Sequence, residues 1–236
     1  MGIQVMLGDC CAVNHHIENN SVDLVLTDLP YGVTKNKWDS VIPLDEFWKV
    51  VTRILKPGGA VVLFGAEPFS STVRLSNVEA YKYDWKWIKE QGTGQLNVRR
   101  RPLVKYEDIM VFNTKTYNPQ GLVACNINKA EKFTENYGKQ SAYVQKFTNY
   151  PTSILEFNRP GLAYRNHPTE KPVSLLEYLI KTYTTKGDLV VDLTMGSGST
   201  GVACVNIGRG FFGIEKELKY YKGSINRIKT AINVNN

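Results

Sequence analysis

The six-residue run Val22–Thr27 (VDLVLT) constrains this chain most. It is mostly apolar and short, the pattern of a buried strand. It ends at Asp28-Leu29-Pro30-Tyr31. A carboxylate, a proline-stiffened turn and an aromatic ring therefore collect at one strand's C-terminal end. Open α/β sheets bind ligands at such ends. Alone, the tetrapeptide also reads as an ordinary turn, with Pro30 fixing φ and Tyr31 capping the core.

Similar runs alternate with helical patterns along the chain. Ile3–Leu7 reads as a strand ending at Gly8-Asp9-Cys10, and Asp9 suits the N-cap of a helix through Val13 and Ile17. Leu44, Phe47, Trp48, Val51 and Leu55 recur at helical spacing, predicting a helix over 44–54. Lys56-Pro57-Gly58-Gly59 breaks it, and Ala60–Phe64 is the next buried strand, completing a βαβ unit. Tyr83–Ile88 and Ile109–Phe112 read as strands near a sheet edge. Leu175, Leu176, Leu179 and Ile180 stripe a helix from Val173 to about Tyr183. Asp188–Val191 and Gly210–Ile214 are strands, and helices follow near Ser199 and over about 219–228. Gly32–Asp39 is polar and reads as a loop beside the ligand end.

With 236 residues and 42% apolar content, the chain suits one α/β domain carrying an inserted lobe. No run of 18 apolar residues predicts a membrane span. The first residues lack the basic region and cleavage pattern of a signal peptide. Cys10, Cys11, Cys125 and Cys204 show no metal-ligand spacing and fit free thiols in a reducing cytoplasm. Three histidines argue against a His-based metal centre, so no metal is expected. Residues 82–171 hold 15 Lys and Arg against 8 Asp and Glu, which is the chain's entire +7 excess. That concentration reads as a solvated basic face or, more sharply, as a polyanion-binding surface. From about 113 to 166 the sequence is polar with scattered aromatics and keeps neither a helical nor a strand period.

The second informative stretch is Asp192-Leu193-Thr194-Met195-Gly196-Ser197-Gly198-Ser199-Thr200-Gly201, a glycine-rich turn after a strand. It also matches the dinucleotide fingerprint, with the acidic Glu215 following Gly196 by 19 positions. Three features point elsewhere: Asp192 closes the strand before the glycines, Asp28-Leu29-Pro30-Tyr31 is present, and so is His167-Pro168-Thr169-Glu170-Lys171-Pro172. Together these motifs resemble the S-adenosylmethionine-dependent DNA amino-methyltransferases. With the catalytic motif preceding the cofactor motif, the order resembles their permuted β group.

The resemblance implies a class I methyltransferase-like α/β fold, a mostly parallel sheet with helices on both faces. Residues 1–112 would form the catalytic half, 113–166 a target-recognition insertion and 167–236 the cofactor half. S-adenosyl-L-methionine is the implied cofactor. Asp9, Cys10, Asp28, Pro168, Thr169, Lys171, Asp192, Thr194, Gly196, Ser197, Gly198, Ser199, Thr200 and Glu215 are its implied contacts. Gly196 and Gly198 would let the backbone approach it, the amides after Gly198 would face its carboxylate, and Glu215 would hold its ribose. Asp28 and the Leu29 carbonyl would each accept an N–H of the target amine, while Pro30 stiffens the turn and Tyr31 stacks on the base. Leu29 stands where the family usually has proline, supplying the same carbonyl and one extra N–H. Aspartate at position 28 favours adenine N6 over cytosine N4. Arg99, Arg100, Arg101 and Lys105 would contact phosphates of DNA beside a flipped base. A second copy of the chain and a cognate restriction endonuclease stay open as partners. Rival readings are a cytosine-N4, RNA or protein-amide methyltransferase, and a DNA-binding domain that has lost turnover.

Overall fold

The computed structural model describes residues 2–32, 41–159 and 170–235. Two units emerge, Met1–Asn118 with Ser153–Asn236, and Pro119–Thr152.

The first unit is built on an eight-stranded sheet of order β1-β12-β11-β2-β3-β5-β4-β10. Its strands are β1 (Ile3–Leu7), β2 (Val22–Thr27), β3 (Leu55–Gly65), β4 (Tyr81–Thr93), β5 (Val104–Phe112), β10 (Ile154–Glu156), β11 (Leu189–Asp192) and β12 (Gly210–Glu215). The run from β1 through β12, β11 and β2 to β3 is parallel. β5 pairs antiparallel with both β3 and β4, and β10 adds parallel to β4. This is the expected mostly parallel α/β sheet.

Both faces are covered, as the apolar runs require. Along β3, Ala60, Val62 and Phe64 join one core while Val61 and Leu63 join the other. The first core meets α4 (Val173–Tyr183), α5 (Ser199–Ile207) and α6 (Leu218–Asn235) through Leu175, Leu179, Cys204 and Ile228. The second meets α1 (Cys10–Val13), α2 (Leu44–Ile54) and α3 (Phe69–Ser76) through Cys10, Phe47, Val51 and Val73. Each large side chain so buried contributes roughly 1.5–3 kcal/mol, which is what holds helices this short in place. α2 also carries Asp45 and Glu46 in its first turn and Arg53 in its last, matching its dipole.

Several boundaries differ from the sequence reading. The first helix is one turn, Cys10–Val13, followed by a 3₁₀ turn at Asn14–His16. Lys56-Pro57-Gly58-Gly59 ends α2 but runs straight into β3. α3 and β10 carry too short a pattern to stand out, and α6 extends to Asn235.

The unit Pro119–Thr152 contains β6 (Val123–Lys129) paired antiparallel with β9 (Tyr143–Thr148), and β7 (Lys132–Thr134) paired with β8 (Gly138–Gln140). The sequence suggested no regular elements here. Two-stranded ribbons bury neither face, so nothing imposes an alternating pattern. Phe133, Tyr137, Tyr143 and Tyr150 are all exposed. No helix among the described residues is long and apolar enough to cross a membrane.

Candidate active site

Parallel pairing aims the C-terminal ends of β1, β12, β11 and β2 at one edge of the sheet. Asp9, Glu215, Asp192 and Asp28 sit at or just past those ends and line a cleft of about 760 Å³. Volumes of this order accept a ligand the size of a nucleoside derivative.

The two sequence motifs meet laterally rather than along the chain. β11 pairs with β2 at Val191 and Val25, which sets the glycine-rich turn beside the tetrapeptide. Thr27 donates its hydroxyl to Asp192 at 2.8 Å, and its oxygen lies 2.8 Å from the Thr194 hydroxyl. Thr194 donates to the Asp28 carbonyl oxygen at 2.9 Å. Thr200 donates to the other Asp192 oxygen at 2.6 Å. Burial pushes the Asp192 carboxyl up to about 6, against the hydrogen bonds from Thr200, Thr27 and the Thr194 amide. Thr27, which the sequence reading did not single out, thus joins the two motifs. Its only signal was a hydroxyl closing an apolar strand.

Asp28 has a partner on each oxygen. Tyr31 donates its hydroxyl to one at 2.6 Å, and the Lys171 ammonium donates to the other at 2.5 Å. The Tyr31 ring stacks on Phe69 at 4.9 Å between centroids. Burial, reinforced by Asp28, raises the Tyr31 phenol well above its ordinary range, so it stays a donor. Leu29 is 2% exposed and packs into the core beneath α2 and α3.

Behind Lys171 lies a charge cluster not visible in the sequence. Glu107, on β5, accepts from Lys89 at 2.8 Å and from Arg159 at 3.2 Å, and lies 3.3 Å from Lys171. Burial pushes the Glu107 carboxyl up, but Lys171, Lys89 and Arg159 prevail and hold it at about 2. Burial likewise opposes the charge on Lys171, yet Asp28 and Glu107 keep its ammonium above the ordinary range. Lys89 goes the other way: burial outweighs its pairing with Glu107 and lowers it. The motif resemblance assigned Lys171 to the cofactor. It lines the cleft, and its ammonium rests on Asp28.

The cofactor-side residues separate into two groups. At Gly196 an added Cβ would meet nothing closer than the Thr194 carbonyl at 4.0 Å, so this position faces open cleft. At Gly198 a Cβ would strike Ser224 at 2.8 Å, and at Gly201 it would strike Ile228 and Phe211. Those two glycines are needed for α6 and β12 to pack closely, a correction to the expectation that Gly198 clears space for a ligand. Glu215 accepts from the Gly196 amide at 2.8 Å and the Glu217 amide at 2.7 Å, and its carboxyl is raised by burial. Ser197, Ser199 and Thr200 line the cleft where α5 begins. Arg227 on α6 braces this turn, donating to the Ser197 and Ser199 hydroxyls and pairing with Glu170 at 2.6 Å.

Asp9 fills the N-cap role, accepting from the Cys11 amide at 2.9 Å, and remains exposed on the cleft wall. Cys10 also lines the cleft, and burial pushes its thiol up to about 12. Pro168 and Thr169, and residues 33–39 of the polar loop, lie outside the described residues. Arg99, Arg100, Arg101 and Lys105 are exposed and stand outside the cleft lining.

These residues fit S-adenosylmethionine on their own chemistry. Exposed Asp9 offers an acceptor to an amine, and Glu215 is a carboxylate at a strand end, as ribose hydroxyls need. The start of α5 offers free amides to a carboxylate, and Gly196 leaves the floor open.

Comparison with known proteins converges on the same chemistry. A family model described as DNA methylase matches residues 22–227. DNA adenine methyltransferase YhdJ of Escherichia coli (strain K12) is 26% identical over 243 residues, covering 96% of this chain and 83% of YhdJ. The crystal structure of the M1.HpyAVI–SAM complex has a TM-score of 0.66 at 24% identity, covering 95% of this chain and 99% of that one. PvuII DNA methyltransferase, cytosine-N4-specific, has a TM-score of 0.70 at 18% identity, covering 100% and 93%. The last two likenesses are likenesses of fold.

Proposed function

Because this chain belongs to the DNA methylase family, we propose that it methylates the exocyclic N6 amine of adenine in DNA, using S-adenosylmethionine. The observation that carries the reading is the hydrogen bond from Thr194 to the Asp28 carbonyl. It locks the tetrapeptide and the glycine-rich turn into one frame, so an amine held by Asp28 lies next to whatever the turn holds. The kinship with YhdJ and the aspartate at position 28 favour adenine.

S-adenosylmethionine, when bound, supplies an electrophilic methyl group. Asp9 and Glu215 would hold its adenosine part, and the amides of Ser199 and Thr200 its carboxylate. The chain's remaining task is to aim a poor nucleophile. The amino lone pair of adenine is delocalised into the ring. Two acceptors, one Asp28 oxygen and the Leu29 carbonyl, fix the two N–H bonds and turn the lone pair toward the cofactor side of the cleft. Tyr31 gives up its hydrogen bond to Asp28 as the amine arrives and offers its ring to the base. Lys171 stays on the other Asp28 oxygen and keeps the carboxylate oriented as an acceptor. Catalysis is then mostly positioning and electrostatic preorganisation.

The base must leave the duplex to reach a cleft this recessed, at a cost of a few kcal/mol. Stacking on one aromatic returns about 1–3 kcal/mol. The basic stretch 82–171 supplies the sequence-independent attraction to phosphate.

Nucleoside mass spectrometry of unmethylated mixed-sequence DNA, incubated with the protein and S-adenosylmethionine, tests the reading. N6-methyladenine is expected with the wild type, and at least about a 100-fold loss with Asp28→Ala. N4-methylcytosine would correct the base. No product from folded, cofactor-binding protein would overturn DNA as the substrate.

A further inference from the structure

We propose that Leu96 is the side chain that enters the DNA stack when the target base leaves it. The inference rests on base extrusion as proposed above and names the residue that would support it.

β4 and β5 pair as far as Thr93 and Val104, and Thr93 lines the rim of the cleft. Beyond them the chain makes a projecting tip over residues 94–103. Leu96 sits in its 3₁₀ turn, Gln95–Asn97, and is fully exposed. A lone surface leucine needs no explanation. This one differs in three respects.

First, its backbone is braced. Gly94 takes φ of +100°, the Asn97 amide donates to the Gly94 carbonyl at 2.9 Å, and the Arg100 and Arg101 amides donate to the Asn97 carbonyl at 2.8 and 3.0 Å. The Gln95 side chain closes onto the Gly92 carbonyl at 2.8 Å. These bonds set the shape of the turn, and Leu96 stands out from it into solvent. Second, Arg99, Arg100 and Arg101 follow at once, all exposed, and none pairs with a carboxylate among the described residues. Unpaired guanidinium groups suit phosphates on either side of an insertion point. Third, Leu96 lies only three positions beyond Thr93, which lines the cleft, so at most about 11 Å of chain can separate them.

An apolar side chain on a hydrogen-bonded, arginine-flanked turn has the form of a wedge. Inserted side chains of this kind unstack a base step and occupy the space vacated. Burying one leucine supplies roughly a 10- to 100-fold bias toward the extruded state.

The test uses the full chain and an oligonucleotide duplex carrying the sequence that the enzyme is found to methylate. 2-Aminopurine replaces the target adenine, and its emission reports extrusion in the presence of S-adenosylhomocysteine. The wild type should raise the emission. Leu96→Ala should lower the ratio of extruded to stacked target about 10-fold or more, with an unchanged melting temperature. Its loss of turnover on the paired duplex should be at least 10-fold larger than on a duplex whose target faces an abasic site. Arg100→Ala should weaken duplex binding in a salt-dependent way and leave the extruded fraction at saturation intact. Emission that survives Leu96→Ala, or equal losses on the two duplexes, would overturn the wedge alone. Methylation by the wild type without any rise in emission would overturn base extrusion, and the wedge with it.

Discussion

Replacing Glu107 by glutamine should cost the folded protein about 3 kcal/mol at pH 7. The figure comes from a carboxyl held at about 2 where its ordinary value is 4.5. Its sign follows from the direction of that shift. A depressed carboxyl contributes in full above pH 4.5, and the contribution fades as pH falls through about 2. By pH 3 about half should remain. The side chain is 12% exposed, so solvent screens the cluster little. In a domain of this size, 3 kcal/mol corresponds to a melting temperature lower by about 6–12 °C. Urea unfolding of wild type and Glu107→Gln between pH 7 and pH 3 reads the difference directly. A gap under about 1 kcal/mol at pH 7, or one constant down to pH 3, would refute the view of Glu107 as the anion that holds the cluster together.

The tetrapeptide and the glycines give sharper contrasts. Tyr31→Phe removes the bond to Asp28 but keeps the ring, and kcat/KM on DNA should fall less than about tenfold. Tyr31→Ala should lose about 10- to 100-fold, with cofactor affinity by calorimetry unchanged in both; equal losses would deny the ring its role. Gly198→Ala places a Cβ 2.8 Å from Ser224 at φ of +75° and should lower the melting temperature more than Gly196→Ala. Gly196→Ala costs about 1–2 kcal/mol for its positive φ and should instead weaken cofactor binding, because its Cβ enters the open cleft. The reverse ranking would sink the division of labour between the two glycines.

The fold was largely legible because its strands are buried on both faces. Val22–Thr27, Gly210–Glu215 and the stripe on α4 leave little choice of structure. Helix α3 and strand β10 were not legible, since eight and three residues carry too little period to register. The site was half legible. Asp28, Tyr31, Asp192 and Glu215 stand at strand ends in a recognisable order, and the structure gathers them on one cleft. The Glu107, Lys89 and Arg159 cluster was hidden because its members come from separate segments of the chain, and only the pairing of β4 with β5 and the fold around Arg159 unite them. Sequence order also concealed what Gly198 packs against, as Ser224 and Ile228 lie 26 and 30 positions further along the chain, on another helix.

The unit Pro119–Thr152 has a consequence for how such a protein can change over generations. Its ribbons keep nearly every side chain in solvent. Substitutions at exposed positions of this kind usually move stability by no more than about 0.5 kcal/mol. Natural selection can therefore try new charges and rings there almost without penalty, while the buried threonines and carboxylates around Asp28 tolerate very little. If this unit meets DNA, a lineage can revise what it reads while leaving untouched how it reacts.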